Sequence, residues 1–282
     1  MAFSHYHVDH IGDPSTFPPS TDLVVGPGFK EACVPAYPTN PDAPVLESDY
    51  QDRNLREISF TDSDLTIGGW RAHDYFGDGS FYLLDSAGVG HSPLAILFNA
   101  ATKQPINALL QHATGHMCAL ARTISSTDAN DTFVLLAGDC AHHPAQFRPS
   151  PLVPLPETIS PYPFDPPLSV YPHTCHADTI TPIHRLYNPK DQTAARTQPF
   201  CLISANGSHD MDQARDSAAR LAVLDADERV WVILAHDMSF EGVAELWPNG
   251  EVNLWREKGW KEDTRWKFLG DFRLAAEEIR IP

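Results

Sequence analysis

His5-Tyr6-His7-Val8-Asp9-His10 is an H-x-H-x-D-H run that places four potential metal ligands within six residues. Side chains alternate along an extended segment, so His5 and His7 point the same way. Asp9 and His10 turn out of that line and can hold a second cation beside the first. Because neutral imidazole and carboxylate suit zinc and similar divalent ions, the run predicts a metal site with room for two ions.

The composition is that of a globular protein. The chain has 282 residues, 42% of them hydrophobic, and a formal net charge of −17. Such a charge repels nucleic acid and anionic membrane surfaces, so neither is expected as a partner. The sequence shows no long apolar run and no signal peptide pattern, and its five cysteines form no CxxC pair. We therefore expect one cytoplasmic domain over residues 1–282, whose oligomeric state the sequence leaves open.

Hydrophobic patterning predicts a mixed α/β fold. The segments that read as strands are 22–26, 55–60, 64–71, 80–85, 117–124, 132–137 and 230–235. The last two are continuous apolar runs that lead into Gly138-Asp139 and His236-Asp237, so each delivers a polar ligand from the end of a buried strand. Apolar residues at helical spacing predict a helix over 209–226.

Other segments predict packing or loops. Residues 144–172 are dense in proline and lack a period, which predicts a long surface loop, and 144–185 as a whole is expected on the substrate side. The tryptophans of the C-terminal segment are predicted to be packing residues. Five further histidines have no ligand-like spacing and are expected to be solvated: His73, His173, His176, His184 and His209.

The order of these motifs resembles the metallo-β-lactamase fold superfamily, most closely its lactonase-like hydrolases, such as N-acyl homoserine lactonases and glyoxalase II. The resemblance covers nearly the whole chain. It rests on H-x-H-x-D-H at 5–10, the Gly-His segment near 112–116, Gly138-Asp139, and Ala235-His236-Asp237. It implies an α/β (α+β) fold, the αββα sandwich, and a hydrolase with a dinuclear zinc centre.

The resemblance also implies a role for each motif residue. Asp139 would orient an attacking hydroxide that lies between the two zinc ions, and Asp9 would help to shuttle its proton. His142 stands where lactonases place a tyrosine, and it could donate a hydrogen bond to the developing oxyanion. The ligands implied for the first ion are His5, His7 and a central histidine, and for the second Asp9, His10 and His236, with Asp139 bridging.

The central histidine is not fixed by the sequence. The strand-like run 80–85 leads to Gly88, but the histidine expected next is absent, and 23 residues intervene before His112. Joining Gly88 to His112 restores the pattern, which makes His112 the ligand and His116 the second histidine of the motif. His91 is a rival within the intervening segment. Residues 89–111 are either a true loop insertion or a translated intron, and sequencing the spliced transcript separates the two.

Two further expectations follow from the resemblance. The first strands of the fold's N-terminal half have no counterpart before His5, so nothing is expected to position His5 and His7, and the polypeptide is predicted to be poorly soluble or weakly metallated. The expected reaction is hydrolysis of a lactone or another ester. Thioester hydrolysis and a non-catalytic, truncated remnant are the alternatives.

Overall fold

The computed structural model describes residues 1–61, 64–86, 114–125, 130–164, 175–203, 211–246 and 248–280. The strands are β1 (Leu23–Val25), β2 (Leu55–Glu57), β3 (Thr66–Ile67), β4 (Trp70–Asp74), β5 (Phe81–Asp85), β6 (Met117–Ile124), β7 (Thr132–Leu136), β8 (Thr158–Ile159), β9 (Cys175–His176) and β10 (Val230–Ile233). The helices are α1 (Val8–Ile11), α2 (Phe29–Cys33), α3 (Glu47–Tyr50), α4 (Thr193–Thr197), α5 (Met211–Ala226), α6 (Trp260–Arg265) and α7 (Arg273–Arg280). The mixed α/β class predicted from the sequence is confirmed.

Long, strongly patterned segments form the predicted elements. The alternating segment 117–124 is β6, and the two apolar runs are β7 and β10. The segment 64–71 was predicted as one strand but is split into β3 and β4, because Gly68 and Gly69 both have positive φ and turn the chain. Within the described residues, the helix predicted over 209–226 begins at Met211 and is α5.

The chain divides into two compact units. The first consists of Met1–Leu120, Gly138–Cys140 and Ile203–Ser217, and the second of Ala121–Ala137, Ala141–Leu202 and Ala218–Pro282. In the first unit the strand order is β3-β4-β5 followed by the first half of β6. In the second unit the second half of β6 precedes β7, which pairs in parallel with β10.

The core of the first unit is built around β1, which is buried on both faces. Leu23 and Val25 pack in one apolar cluster with Phe3 and Tyr6, whereas Val24 belongs to a second cluster that includes Met117. Alternating side chains of one strand thus serve two clusters, which explains why the segment is a continuous apolar run. This packing holds β1 beside the segment that carries the H-x-H-x-D-H run.

The first four residues form the extended segment that positions His5. The Phe3 amide donates to the Val24 carbonyl at 2.9 Å, and the Val24 amide donates to the Met1 carbonyl at the same distance. On the other side, the Met117 amide donates to the Ser4 carbonyl at 2.8 Å. The expectation that nothing positions His5 is therefore wrong, because four residues are enough to pair on both sides.

The proline-rich segment of the second unit is partly core. In 144–164, the described part of the predicted surface loop, several apolar side chains are buried in one cluster with residues of the C-terminal segment, and β8 pairs with β9. The buried members are Ala145, Leu155, Ile159 and Phe164. The surface-loop prediction is wrong here, because spaced apolar residues between prolines can be buried without any helical or strand period.

Polar and aromatic side chains complete the second unit. Arg148 and Asp225 form a buried two-point ion pair, with Nε–Oδ2 at 3.0 Å and Nη2–Oδ1 at 2.7 Å. Trp255 and Trp266 are buried, as predicted for the C-terminal tryptophans.

Within the described segments, no helix has both the length and the apolar character needed to cross a bilayer.

Candidate metal centre

Two histidines of the H-x-H-x-D-H run and the aspartate of the Gly138-Asp139 pair converge in the first unit. His5, His7 and Asp139 each offer one ligand atom, and these atoms lie within 4.8 Å of one another. The His5 and His7 rings are 4.3 Å apart between centroids, which agrees with two side chains projecting from the same face of an extended segment. Residues 134 positions apart in sequence thus meet at one point.

Asp139 lies between two histidines. Its Oδ2 atom is 3.6 Å from His5 Nε2, and its Oδ1 atom is 3.2 Å from His10 Nε2. His10 Nε2 also lies 3.5 Å from an oxygen of Asp9, whose side chain is half exposed. Each oxygen of one buried carboxylate therefore faces a different imidazole.

Burial keeps the His5 imidazole neutral. The pKa of His5 is lowered to about 2, first by burial and then by the neighbouring His116, His7 and His10 rings. The pKa of His10 is raised, because its interaction with Asp139 outweighs the opposing effect of burial. A neutral imidazole is the form that binds a metal ion.

The donor atoms at this point fit a divalent cation. His5 Nδ1 is 3.2 Å from the Ser4 hydroxyl, while its buried Nε2 atom has no hydrogen-bond partner among the described residues. A buried polar atom without a partner costs about 1–3 kcal/mol, so a position of this kind calls for a ligand. Imidazole nitrogens together with a carboxylate are the ligand set that zinc prefers.

His116 belongs to the cluster but uses both ring nitrogens elsewhere. Its ring lies 5.0 Å from that of His5. Its Nε2 atom accepts a hydrogen bond from the Asp139 amide at 3.1 Å, and its Nδ1 atom is 2.8 Å from the Ser86 hydroxyl. The side chain is fully buried. Both ring nitrogens of His116 therefore have hydrogen-bond partners, one on the turn that carries Asp139 and one on Ser86. His112 and His91, the other candidates for the central ligand, lie outside the described residues.

Three glycines allow close approaches of the backbone at and beside the cluster. Gly138 has φ +52°, and a Cβ there would lie 3.0 Å from His116 Nε2 and 3.2 Å from Ser4 Cβ. Gly26 and Gly115 touch through their backbones, since a Cβ on Gly26 would overlap the Gly115 carbonyl. The turn that carries Asp139 and the turn before β6 both depend on residues without a side chain.

The second unit holds the remaining predicted site residues, His142 and His236. Their rings stack with centroids 5.5 Å apart and an interplanar angle of 29°. The neighbouring His143 is bound to Asp271, with Nε2–Oδ2 at 2.9 Å. Asp237 accepts from the Ser239 amide at 2.8 Å and so caps the short turn that follows His236.

Several histidines differ from their predicted surroundings. His184 was expected to be solvated but is buried, since its Nε2 pairs with the Gln198 carbonyl and its Nδ1 accepts from the Leu186 amide. His73 lies on β4 and is half-buried, whereas His176 is exposed as expected. His173 and His209 lie outside the described residues.

Sequence reasoning missed Ser86 as a member of the site. Its hydroxyl contacts the His116 ring and lies 3.2 Å from the Cys118 sulfur, which donates to it. Ser86 directly follows β5, so the rule that located Asp139 and His236, a polar residue after a buried strand, could also have located Ser86.

Curated proteins resemble the chain over nearly its full length. A γ-lactamase of Fusarium pseudograminearum (strain CS3096), FDB1, is 42% identical over 282 residues, covering 99% of this chain and 59% of the relative. The metallo-hydrolase mfmC of Annulohypoxylon moriforme is 37% identical, covering 99% of this chain and 63% of the relative. A γ-lactamase of Gibberella moniliformis (strain M3125 / FGSC 7600), MBL2, is 48% identical over 173 residues, 61% of this chain and 62% of the relative. The chain thus spans about three fifths of the length of these relatives. No family model matches it, and no solved structure is significantly similar.

Proposed function

Because the chain belongs to the metallo-β-lactamase fold superfamily, we propose that it acts as a metal-dependent hydrolase that opens a cyclic acyl bond, either a lactone or a γ-lactam. The observation that carries the proposal is the convergence of His5, His7 and Asp139, with the His5 nitrogen buried and neutral. The names of the relatives, γ-lactamase and metallo-hydrolase, support hydrolysis and add the lactam to the lactone expected from the motifs.

We propose zinc as the metal and two ions as the number. The two oxygens of Asp139 face His5 and His10 separately, which supports a bridging role for this carboxylate. His5 and His7 would hold the first ion, with His112 as the central ligand implied by the motif. Asp9 and His10 would hold the second, with His236 as the ligand that the resemblance implies.

A divalent cation bound there would supply Lewis acidity, which polarises a carbonyl and lowers the pKa of water. Residues of the chain would move the protons and stabilise the developing charge. Asp139 is fixed at its backbone by His116 and accepts a proton or a hydrogen bond through its carboxylate, while the half-exposed Asp9 can pass a proton to solvent. His142 would donate a hydrogen bond to the oxygen on which negative charge develops.

A cavity beside His236 is the part of the second unit that we propose receives the substrate. A cavity of about 240 Å³ in the second unit is lined by this residue together with His143, Lys267, Phe268 and Asp271. Pockets for drug-sized ligands are about 300–1,000 Å³, and this slightly smaller cavity is large enough for a compact ring.

A substrate panel tests the proposal. The zinc-loaded protein is assayed against small lactones, γ-lactams and acyl thioesters, with His5→Gln as the inactive control and His176→Gln, an exposed histidine, as the matched control. We expect ring opening of a lactone or a lactam that His5→Gln abolishes and His176→Gln leaves unchanged. Hydrolysis of thioesters alone would assign the alternative function, and inactivity on every class with zinc bound would favour the non-catalytic remnant. The cytoplasmic location and the absence of nucleic acid and membrane partners remain predictions from the sequence.

A further inference from the structure

The hydrogen bond between the Asp139 amide and His116 determines which ring nitrogen of His116 carries the proton. The Asp139 backbone amide can only donate, so His116 Nε2, 3.1 Å away, must carry the lone pair. The neutral ring then bears its proton on Nδ1, which donates to the Ser86 hydroxyl at 2.8 Å. Ser86 in turn donates to the His116 carbonyl at 3.3 Å and accepts from the Cys118 thiol at 3.2 Å. Every donor in this chain of contacts has an acceptor.

We propose that His116 is a positioning residue: in its Nδ1–H tautomer, fixed by Ser86, it holds the Asp139 turn and the His5 ring in the arrangement that receives the metal. Neither ring nitrogen of His116 takes part in ligation. The proposal rests on the proposed function for the identity of the metal site, but the tautomer and the hydrogen bond to Asp139 stand independently of any metal.

Three features make His116 suited to this role. Its side chain is fully buried, so no water competes for its hydrogen bonds. Its ring packs 5.0 Å from that of His5, so the same side chain contacts two candidate ligands. The turn at Gly138 leaves little room for a Cβ, which would lie only 3.0 Å from Nε2, so the backbone passes close to the ring. Residues that orient ligands from behind affect metal affinity almost as strongly as the ligands themselves.

Two substitutions distinguish the roles of the two ring nitrogens of His116. In His116→Gln the amide oxygen reaches about as far as Nε2 and can still accept from the Asp139 amide. In His116→Asn the shorter side chain reaches only to the position of Nδ1, so it can contact Ser86 but not Asp139. His184→Gln is the matched control, because His184 is also buried with both nitrogens hydrogen-bonded but lies in the second unit, outside the metal cluster.

Zinc affinity is measured by competition with a chromophoric chelator on folded protein, checked by thermal unfolding. We expect His116→Asn to weaken zinc binding by about 10- to 100-fold, the usual effect of removing such a partner. His116→Gln should keep most of the affinity, and His184→Gln should lose thermal stability without losing zinc. Equal affinity of His116→Asn and the unmodified protein, or equal losses in His116→Asn and His184→Gln, would overturn the proposal.

A second measurement needs no metal and keeps the two proposals separable. In the ¹⁵N-labelled, metal-free protein, imidazole nitrogen shifts should report the Nδ1–H form of His116, and a coupling across the hydrogen bond should join its Nε2 to the Asp139 amide nitrogen. An Nε2–H tautomer would overturn this inference whatever the enzyme does. If the protein shows the expected tautomer but binds no zinc, the hydrogen-bond assignment stands. That result would overturn the role of His116 at a metal and would refute the proposed function.

Discussion

Gly138→Ala should damage the candidate metal centre without touching any ligand. The residue has φ +52°, a conformation that costs a residue with a Cβ about 1–2 kcal/mol. The added methyl group would also lie 3.0 Å from Nε2 of the buried His116 and 3.2 Å from Cβ of the half-buried Ser4. Crowding of a packed site costs about 1–3 kcal/mol, so we expect a loss of about 3 kcal/mol in the free energy of unfolding.

Gly259→Ala is the matched control for this substitution. Gly259 also has positive φ, +71°, in the left-handed region, but a Cβ there would meet nothing within 4 Å. It should lose only the conformational part, about 1–2 kcal/mol. The difference between the two variants therefore measures the crowding against His116 and Ser4.

Urea unfolding of the metal-free proteins gives the two stability losses, and chelator competition gives their zinc affinities. Gly138→Ala should be the less stable variant and should bind zinc more weakly, because the Asp139 turn must move away from His116. Gly259→Ala should bind zinc as the unmodified protein does. Equal stability losses together with unchanged zinc binding in Gly138→Ala would refute the view that this turn is held by close packing.

The remaining predictions concern protonation, a buried ion pair and catalysis. His5 has a folded-state pKa of about 2 against an ordinary 6.5, so its contribution to stability is complete above pH 6.5 and is lost as pH falls toward 2. Between pH 7 and pH 5 the metal-free protein should lose about 2 kcal/mol of its free energy of unfolding through this residue. Urea unfolding at each pH should show that the free energy of unfolding changes less with pH in His5→Gln; an equal change in both proteins would contradict the burial of a neutral ring. Arg148→Leu leaves the buried Asp225 carboxylate without its main partner and should cost about 3–5 kcal/mol, so an unchanged thermal midpoint would show that the pair is not closed in solution. His142→Ala should lower kcat on the substrate identified by the panel by about 100-fold or more with zinc content unchanged, as expected for an oxyanion donor, and an unchanged kcat would remove it from that role.

The strands around the site were predictable because their hydrophobic patterns are strong. β6 is an alternating run, and β7 and β10 are continuous apolar runs. Asp139 and His236 were located because each follows one of these apolar runs. The resemblance implied that His5, His7 and Asp139 would lie together. Hydrophobic periodicity could not have predicted it, because nothing local joins residues so far apart in sequence.

Contacts that depend on tertiary packing could not be predicted in the same way. Ser86 and His116 are joined across a sequence separation of 30, and no periodicity signals such a pair. His184 is buried because a neighbouring carbonyl and amide satisfy its ring, a condition that its sequence context does not reveal. The support for His5 was missed because four residues, too short for a strand prediction, are extended by pairing with β1 and β6.

The zinc content of the purified chain tests the proposed metal centre most directly. It is measured by elemental analysis after loading with zinc and removal of unbound ions by gel filtration. His5→Gln and His73→Gln are measured beside it, since His73 is a half-buried histidine on β4 and not among the proposed ligands. We expect two zinc ions per chain in the unmodified protein and in His73→Gln, and at least one fewer in His5→Gln. A chain that retains no zinc, or a His5→Gln variant with undiminished zinc, would contradict a two-metal centre that includes His5.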